Sequence, residues 1–577
     1  MIRRSGVKLK KAISILFLIS CLLSTPSLIT CKICVKASPV TLTADPITII
    51  VPDNYTTIQG AINNASSGDT IFVRIGTYYE HVVINKTITL VGEDSSLTVI
   101  DSYKTDNVIY ITNANNVTVK NFTVRNSGMY PYSGILIEQS TSVVIVNNKI
   151  MYNYEGINLV FSGSNVVSGN TILNNYDGIY LYSSSDNVFS GNTLLGNHFA
   201  GISLRYSGSN VFSGNTILNN YDGIYLYSSS DNVFSGNTVS SSNYDGIYLY
   251  SSSDNVFSGN TVSSSNYHGI NLALLSSNNT IYHNNFNNTI QTLSKSTNFW
   301  DYGNEGNYWS DYTKQDLNKD GIGDIPYNID AVNKDNYPLM GMFSEFNITL
   351  ERETYSFTVI SNSTVSVFGF QIGVETGNKI IHFNTTGKDG TSGFCRVKMP
   401  ARLMSYPYVV LVDSEEIIPT VLNVSNEAYA YLYFTYLHKN HAITIISSKT
   451  LALYFELLDG YLKLNETYYA LLENYNILLS NYTQLQISFG ELNNSYQKLS
   501  GNYNILLYNY SQLQTSFHDL NNSYLEHLLD YSEQMQNIRN LTYILVALTA
   551  IFIITSIYLS KRAHARITTK SKEFEGE

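Results

Sequence analysis

Apolar and polar positions alternate in short bursts through the middle of the chain. The segment that begins at Gly223 reads GIYLYSSSDNVFSGNTVSSSNYD, in which the runs GIYLY, NVFSGN and TVS are rich in β-branched and aromatic residues and are separated by Ser, Asn and Asp. No stretch of helix formers is long enough for three turns, so the pattern predicts three short strands and no helix. The phrase repeats. Gly-Ile recurs at Gly134, Gly156, Gly178, Gly201, Gly223, Gly246 and Gly269, at steps of 22 or 23 residues. Ser-Gly-Asn recurs in a fixed phase with it, at Gly169, Gly191, Gly214, Gly236 and Gly259. A fixed period of this length marks a solenoid. A leucine-rich repeat would need regularly spaced leucines and a helical return, and neither is present. The pattern predicts a right-handed parallel β-helix.

One such coil cannot fold alone. Its inward apolar side chains, expected to be Ile224, Leu226, Val233 and Val239, contribute roughly 1.5 to 3 kcal/mol each when buried. Ordering each residue of the coil costs about 1 to 2 kcal/mol, so stacked neighbours must supply the rest. Asn165, Asn187, Asn210, Asn232 and Asn255 repeat just before a Val. Their amides are expected to point inward and bond to one another up the stack.

The texture changes twice further on. Residues 345–450 carry about seven short alternating runs, among them TYSFTVIS, YPYVVLV and AYAYLYFTY, separated by turn residues. This predicts an immunoglobulin-like β-sandwich. From Leu457 the spacing becomes a 3-4 rhythm in which Tyr461, Tyr468, Tyr475, Tyr482, Tyr503, Tyr510, Phe517 and Tyr524 alternate with leucines. That is a heptad with aromatic a and leucine d, and the segments from Asn474 and Asn502 are near copies four heptads apart. A parallel coiled-coil stalk that joins several copies is expected. The alternative is a helix that folds back on itself or packs on the adjacent β domain, since charges at e and g are sparse.

Both termini bear on compartment. Arg3, Arg4, Lys8, Lys10 and Lys11 precede an apolar run from Ala12 to Leu28, with a cleavage site expected after Ala37, the form of a secretory signal. Cys21, Cys31 and Cys34 leave with it, so Cys395 stays alone and no intrachain disulfide is expected. Leu541 to Leu559 is apolar enough to cross a bilayer, and Lys561, Arg562, Arg566, Lys570 and Lys572 follow it. The positive-inside rule then puts the short tail in the cytoplasm and the large N-terminal region outside a plasma membrane. Sequons such as Asn347 and Asn465 fit a glycosylated surface. A net charge of −11 argues against a nucleic-acid partner. The expected order is a signal peptide (1–37), β-helix (38–300), closing segment (301–343), sandwich (344–450), stalk (451–540), membrane helix (541–560) and tail (561–577).

Candidate chemistry lies in two places. In the closing segment Asp316, Asn318, Asp320 and Asp324 stand at positions 1, 3, 5 and 9 of a loop with Gly321 at 6. This spacing fits hard oxygen ligands around Ca²⁺, although Tyr327 stands where an EF-hand has Glu. On the coils, Tyr132, Tyr154, Tyr176, Phe199, Tyr221, Tyr244 and Tyr267 lie two residues before each repeat glycine. Glu155, Asp177, Asp222 and Asp245 lie one residue before it, interrupted by Ala200 and ended by His268. Facing outward, these rings and carboxylates would form a strip suited to sugar rings and their hydroxyls. The plainer reading has the rings stacking to support the turn and the acids hydrating it. Arg205, nearly alone as a base within the repeats, falls in the coil where Ala200 replaces the acid.

The segment TIQGAINNASSGDTIFVRIGTYYEHVVINKTITLVGE, Thr57 to Glu93, resembles the opening coil of the pectin-lyase-like superfamily. With the repeats, and with GNYWSDY running into DGIGDIPYNID and NKDNYPLM, it resembles the NosD-type β-helix family over about residues 50–340. The resemblance implies a fold rather than an activity, since such helices host lyases, hydrolases, epimerases, adhesins and a copper-maturation factor. Neighbouring carboxylates, Glu155 with Asp177 or Asp222 with Asp245, would suit a retaining glycosidase if about 5 Å apart. They belong to the repeat, however, whereas a catalytic site breaks one. Copper needs clustered His, Met or Cys, and Met129, Met151, His268 and His283 are too few. The expectation is a membrane-anchored surface protein, not an enzyme, that binds extracellular polysaccharide or a surface glycoprotein. A polysaccharide lyase or hydrolase is the alternative, and a copper-handling protein the third.

Overall fold

The computed structural model describes residues 45–489 and 496–572; the leader expected at 1–37 lies outside them. From Thr48 to Trp309 the chain winds as a parallel β-helix of about eleven turns whose strands form three sheets, two of eleven strands and one of ten. Each strand pairs in parallel with its counterpart one coil later, as Asp177–Tyr182 does with Ala200–Arg205, with Ile179 opposite Ile202 and Leu181 opposite Leu204. Equivalent residues therefore run in lengthwise rows.

The inward rows make the core. Ile179, Ile202, Leu204, Leu226 and Val239 are fully buried. The expected Val233 is not among them, because the strand Val233–Ser235 points its middle residue, Phe234, inward. Asn232 already occupies the inward corner before this strand, and the two-residue period then turns Val233 out. Phe189, Phe212, Phe234 and Phe257 stack at centroid distances of 4.6, 4.7 and 4.9 Å.

Close packing of coils explains the two glycine rows. A Cβ on Gly178 would come within 2.5 Å of the Gly201 carbonyl oxygen, and one on Gly201 within 2.8 Å of that of Gly223. The Ser-Gly-Asn glycines Gly191, Gly214 and Gly236 have open space around them but turn with positive φ, +61° at Gly191 and Gly214.

The asparagine ladder forms, and there are three of them. In the first, both the backbone N–H and the amide of Asn187 donate to Asn210 Oδ1, at 3.0 Å each, and the pattern runs from Asn165 through Asn255 to Asn298. A second passes through Asn148, Asn170, Asn192, Asn215, Asn237, Asn260, Asn284 and Asn307. A third runs from Asn153 to Asn220. A ladder of this polarity needs an acceptor at its C-terminal end. The closing segment supplies two: Asn298 N–H donates to Asn333 Oδ1, and Asn307 N–H donates to Asp335 Oδ2 at 2.7 Å. At the other end, helix α1 (Ile58–Asn64), capped by Thr57 Oγ1 on Gly60 N–H, buries Ile58, Ala61 and Ile62 over the first coil.

After Trp309 the closing segment leads into two five-stranded antiparallel sheets that share a core containing Phe357, Phe383, Val397, Leu432 and Ile445. Helix α2 (Lys449–Phe489) and helix α3 (Tyr496–Lys572) follow. Their heptad rings pair within the chain: Tyr461 with Tyr524, Tyr468 with Phe517, Tyr475 with Tyr510 and Tyr482 with Tyr503, at 5.4, 4.7, 3.9 and 3.6 Å. Numbers rise by seven on one helix as they fall by seven on the other, so the helices are antiparallel. The structure thus shows the folded-back arrangement in place of one straight rod. Two near-copies of the seam in one chain meet without the entropy loss of bringing separate chains together. Farther along α3, Arg539 pairs with Glu416, and Val546 is buried against Ile380, Leu411 and Ile446 of the sandwich. Among the described residues α3 is the helix long and apolar enough to cross a membrane.

Candidate functional site

The outward side chains of the ten-stranded sheet form aromatic rows. Along the strands Tyr180, Ser203, Tyr225 and Tyr248 are register partners, as are Tyr182, Arg205, Tyr227 and Tyr250. Tyr225 stacks on Tyr248 and Tyr227 on Tyr250, both at 5.4 Å. At the edge where the strands begin lies the row read from the sequence. Tyr154, Tyr176 and Phe199 stack at 4.8 and 5.8 Å, and Tyr221, Tyr244 and Tyr267 at 5.4 and 4.8 Å. Between the two stacks Phe199 leans onto Tyr225 instead, 5.3 Å away. Tyr176, Tyr221 and Tyr267 remain 40, 42 and 49% exposed; their faces lie on neighbouring rings, and their outer edges are open to a ligand.

The carboxylates are elsewhere than expected. Glu155, Asp177, Asp222, Asp245 and His268 are all buried. They neither hydrate the turn nor present themselves to sugar hydroxyls, because the layer of rings covers them. Each Asp turns back to accept a backbone N–H from the next coil: Ala200 N–H on Asp177, Asp245 N–H on Asp222 and His268 N–H on Asp245. Glu155 accepts from Ser133 Oγ and the Asn158 amide. Burial raises the pKa of Glu155 and of Asp222 to about 7, and that of Asp177 well above the usual carboxylate range. Asp245 also has side-chain partners: His268 Nδ1 lies 2.8 Å from its Oδ1, and the Asn271 amide donates to its Oδ2.

One coil breaks the pattern at three outward positions at once. Ala200, Ser203 and Arg205 stand where its neighbours carry Asp, Tyr and Tyr. The Arg205 guanidinium lies 5.9 Å from the Tyr180 ring centroid, and its charge lowers the Glu155 pKa against the effect of burial. Asn158 Oδ1, Ser203 Oγ and Arg205 Nε are buried without a hydrogen-bond partner. The sequence drew attention to Ala200 and Arg205. It missed Asn158 and Ser203, whose only signal was a polar residue in a Tyr row.

Among the described residues no three His, Cys, Asp or Glu side chains gather as a metal-binding group. In the loop, Asp316 and Asn318 both accept the Asp320 N–H at 3.1 Å, Asp316 accepts Gly321 N–H, and Asp324 accepts Leu317 N–H. Burial raises the pKa of Asp316. For copper, the soft donors among the described residues are dispersed: Met129 is 79% exposed, His283 bonds to Glu305, and the thiol of Cys395 is buried in the sandwich, with its pKa pushed up to about 11. These residues do not fit a copper centre.

Residues 62–230 and 174–314 match the family described as periplasmic copper-binding protein (NosD). Both stretches lie within the β-helix and its closing segment. No curated protein sequence matches the chain. Among solved structures, alginate lyase from Paenibacillus sp. str. FPU-7 is 16% identical with a TM-score of 0.32, over 44% of this chain and 98% of that one. Pectate lyase Pel9A is 13% identical with a TM-score of 0.35, over 49 and 86%. The A-module of Azotobacter vinelandii mannuronan C-5 epimerase AlgE4 is 16% identical with a TM-score of 0.30, over 44 and 95%. Scores this low carry no argument about chemistry.

Proposed function

We propose that this NosD-type protein is anchored through α3 in a plasma membrane, single-pass and with its β-helix outside. There it binds extracellular polysaccharide or a surface glycoprotein without turnover. The carrying observation is the pair of stacked, half-exposed ring rows from Tyr154 to Phe199 and from Tyr221 to Tyr267. Their spacing follows the coil repeat, and the exposed ring edges and phenol hydroxyls form a strip along which a sugar chain can lie and hydrogen-bond. The withdrawn carboxylates fit binding better than hydrolysis, because a glycosidase nucleophile has to reach the sugar.

The coil of Arg205 favours a second reading, a lyase or hydrolase. Glu155, whose pKa stands at about 7, would be a competent general acid at neutral pH, and on the same sheet face Asn158 Oδ1, Ser203 Oγ and Arg205 Nε are buried with no hydrogen-bond partner of their own. Calcium in the loop Asp316–Asp324 is a further part of the proposal, supported by the convergence of Asp316 and Asn318 oxygens on one amide. A glycan array, run beside assays for new reducing ends and unsaturated uronates, separates the readings. Binding without turnover is expected, and turnover that is lost in Glu155→Gln establishes the enzyme instead.

A further inference from the structure

The end of the β-helix meets the first sheet of the sandwich across a cleft of about 520 Å³, a volume suited to a small ligand. Its floor is a fixed ion-pair junction. Arg396, 5% exposed, donates from Nη2 to Glu305 Oε1 at 2.6 Å and from Nη1 to the Asp320 carbonyl at 2.8 Å. His283 Nε2 lies 2.8 Å from Glu305 Oε2. Asn285, on the last coils, exchanges two hydrogen bonds with the backbone of Phe343. Both walls are therefore held in place without a ligand.

The sandwich wall presents a graded row of groups. Glu345, Thr358, Lys398 and Tyr431 are register partners across four adjacent strands, so their side chains lie side by side on one face. Glu345 already accepts from Ser356 Oγ at 2.6 Å, and Arg396 is neutralised by Glu305. Lys398 is different. Its Nζ rests over the rings of Tyr429 and Tyr431, at 4.6 and 5.7 Å from their centroids, and no carboxylate among the described residues pairs with it. Opposite stands the ring of Tyr302, 53% exposed and 5.1 Å from Tyr282. The cleft thus combines an open ring, hydroxyl and carboxylate acceptors, and one uncompensated cation about two strand spacings, roughly 10 Å, from Glu345.

We infer that this junction cleft is a second saccharide site, specific for an acidic sugar whose ring stacks on Tyr302 and whose anionic group pairs with Lys398. An anion lying against a part-buried ammonium forms a charge-assisted hydrogen bond. A neutral sugar leaves that cation unmatched. The cleft deepens the polysaccharide-binding reading, yet it shares no residue with the ring rows, so the two fail separately.

The test is calorimetry on the full-length chain in detergent with three probes of equal length: an oligogalacturonate, a sulfated oligosaccharide and a neutral cello-oligosaccharide. Oligogalacturonate binding should fall at least tenfold in Lys398→Ala, recover in Lys398→Arg, and fall in Tyr302→Ala, while the double variant Tyr176→Ala/Tyr244→Ala leaves the cleft component intact. Tighter binding of the sulfated probe with the same dependence on Lys398 supports the site and assigns a sulfate as its anion. Absence of oligogalacturonate and sulfated-probe binding, equal affinity for the neutral probe, or indifference to Lys398→Ala overturns the inference. Loss of all binding in the Tyr176→Ala/Tyr244→Ala variant alone places recognition on the ring rows and overturns it too.

Discussion

Replacing Asn210 by Leu tests the physical basis of the solenoid. The Asn210 side chain takes part in five hydrogen bonds: two from Asn187, and one each to Asn232, Ser184 and Gly208, all between 3.0 and 3.1 Å. Leucine has similar bulk and satisfies none of them. The amide of Asn187 keeps the Ser162 and Ser185 carbonyls, and Asn232 Oδ1 keeps the Asn210 N–H. The backbone N–H of Asn187 is left buried and alone, which costs about 1 to 3 kcal/mol. The other bonds are worth roughly 0.5 to 1.5 kcal/mol each, and the apolar gain of leucine offsets part of their loss. A net destabilisation of about 3 to 5 kcal/mol follows. For a domain of this size each kcal/mol moves the melting temperature by roughly 2 to 4 °C, with the lower end applying to long chains, so a fall of about 6 to 10 °C is expected. Thermal unfolding followed by circular dichroism measures it, with Thr216→Leu, an outward strand position, as the control for added apolar surface. A shift under 2 °C, or one no larger than the control's, refutes the ladder as a source of stability.

Stability should peak near pH 5. Glu155 has a folded pKa of about 7 against an ordinary 4.5, so the folded state holds its proton more tightly and stability falls as pH rises from 4.5 to 7, by about 3 kcal/mol for this residue. Glu305 runs the other way: the His283 hydrogen bond and the Arg396 charge outweigh burial and hold it at about 2, so its contribution is present above pH 4.5 and lost toward pH 2. Melting temperatures that do not change between pH 5 and 8, or a fall undiminished in Glu155→Gln, would contradict this account. Cysteines introduced together at Tyr475 and Tyr510 should crosslink within one chain, because those rings stack at 3.9 Å; dimers formed by Tyr475→Cys alone would instead support the parallel homo-oligomeric stalk. Calorimetry with millimolar Ca²⁺ is expected to show binding that Asp316→Asn removes, and a flat titration of the unaltered chain disposes of the calcium loop.

Repetition made the β-helix legible in the sequence. A 22- to 23-residue phrase allows one economical packing, in which every strand lies on its own copy, and the ladder asparagines follow from identical residues falling one strand spacing apart. The ring rows were legible for the same reason. The burial of Glu155, Asp177, Asp222 and Asp245 was not. Period alone fixes which residues share a row; the depth of that row depends on side chains from other positions, here Tyr180, Tyr225 and Tyr248, that close over it. The inward phenylalanines were missed because the strand phase after an inward Asn depends on a corner, and corners carry no periodicity.

The chain's order of elements, the lengthwise stripes and the apolar stretch near residue 550 were determined by local pattern, which needs only neighbours in sequence. Tertiary structure alone decided three things. It paired the heptad rings of α2 with those of α3, a choice between partners that one seam cannot express. It set Arg396 of the sandwich on Glu305 of the closing segment, 91 residues away in sequence. It left Lys398 beside them in a cleft, with no carboxylate among the described residues paired to it, because charge balance is a property of surfaces in contact, and those surfaces exist only once distant segments have folded together.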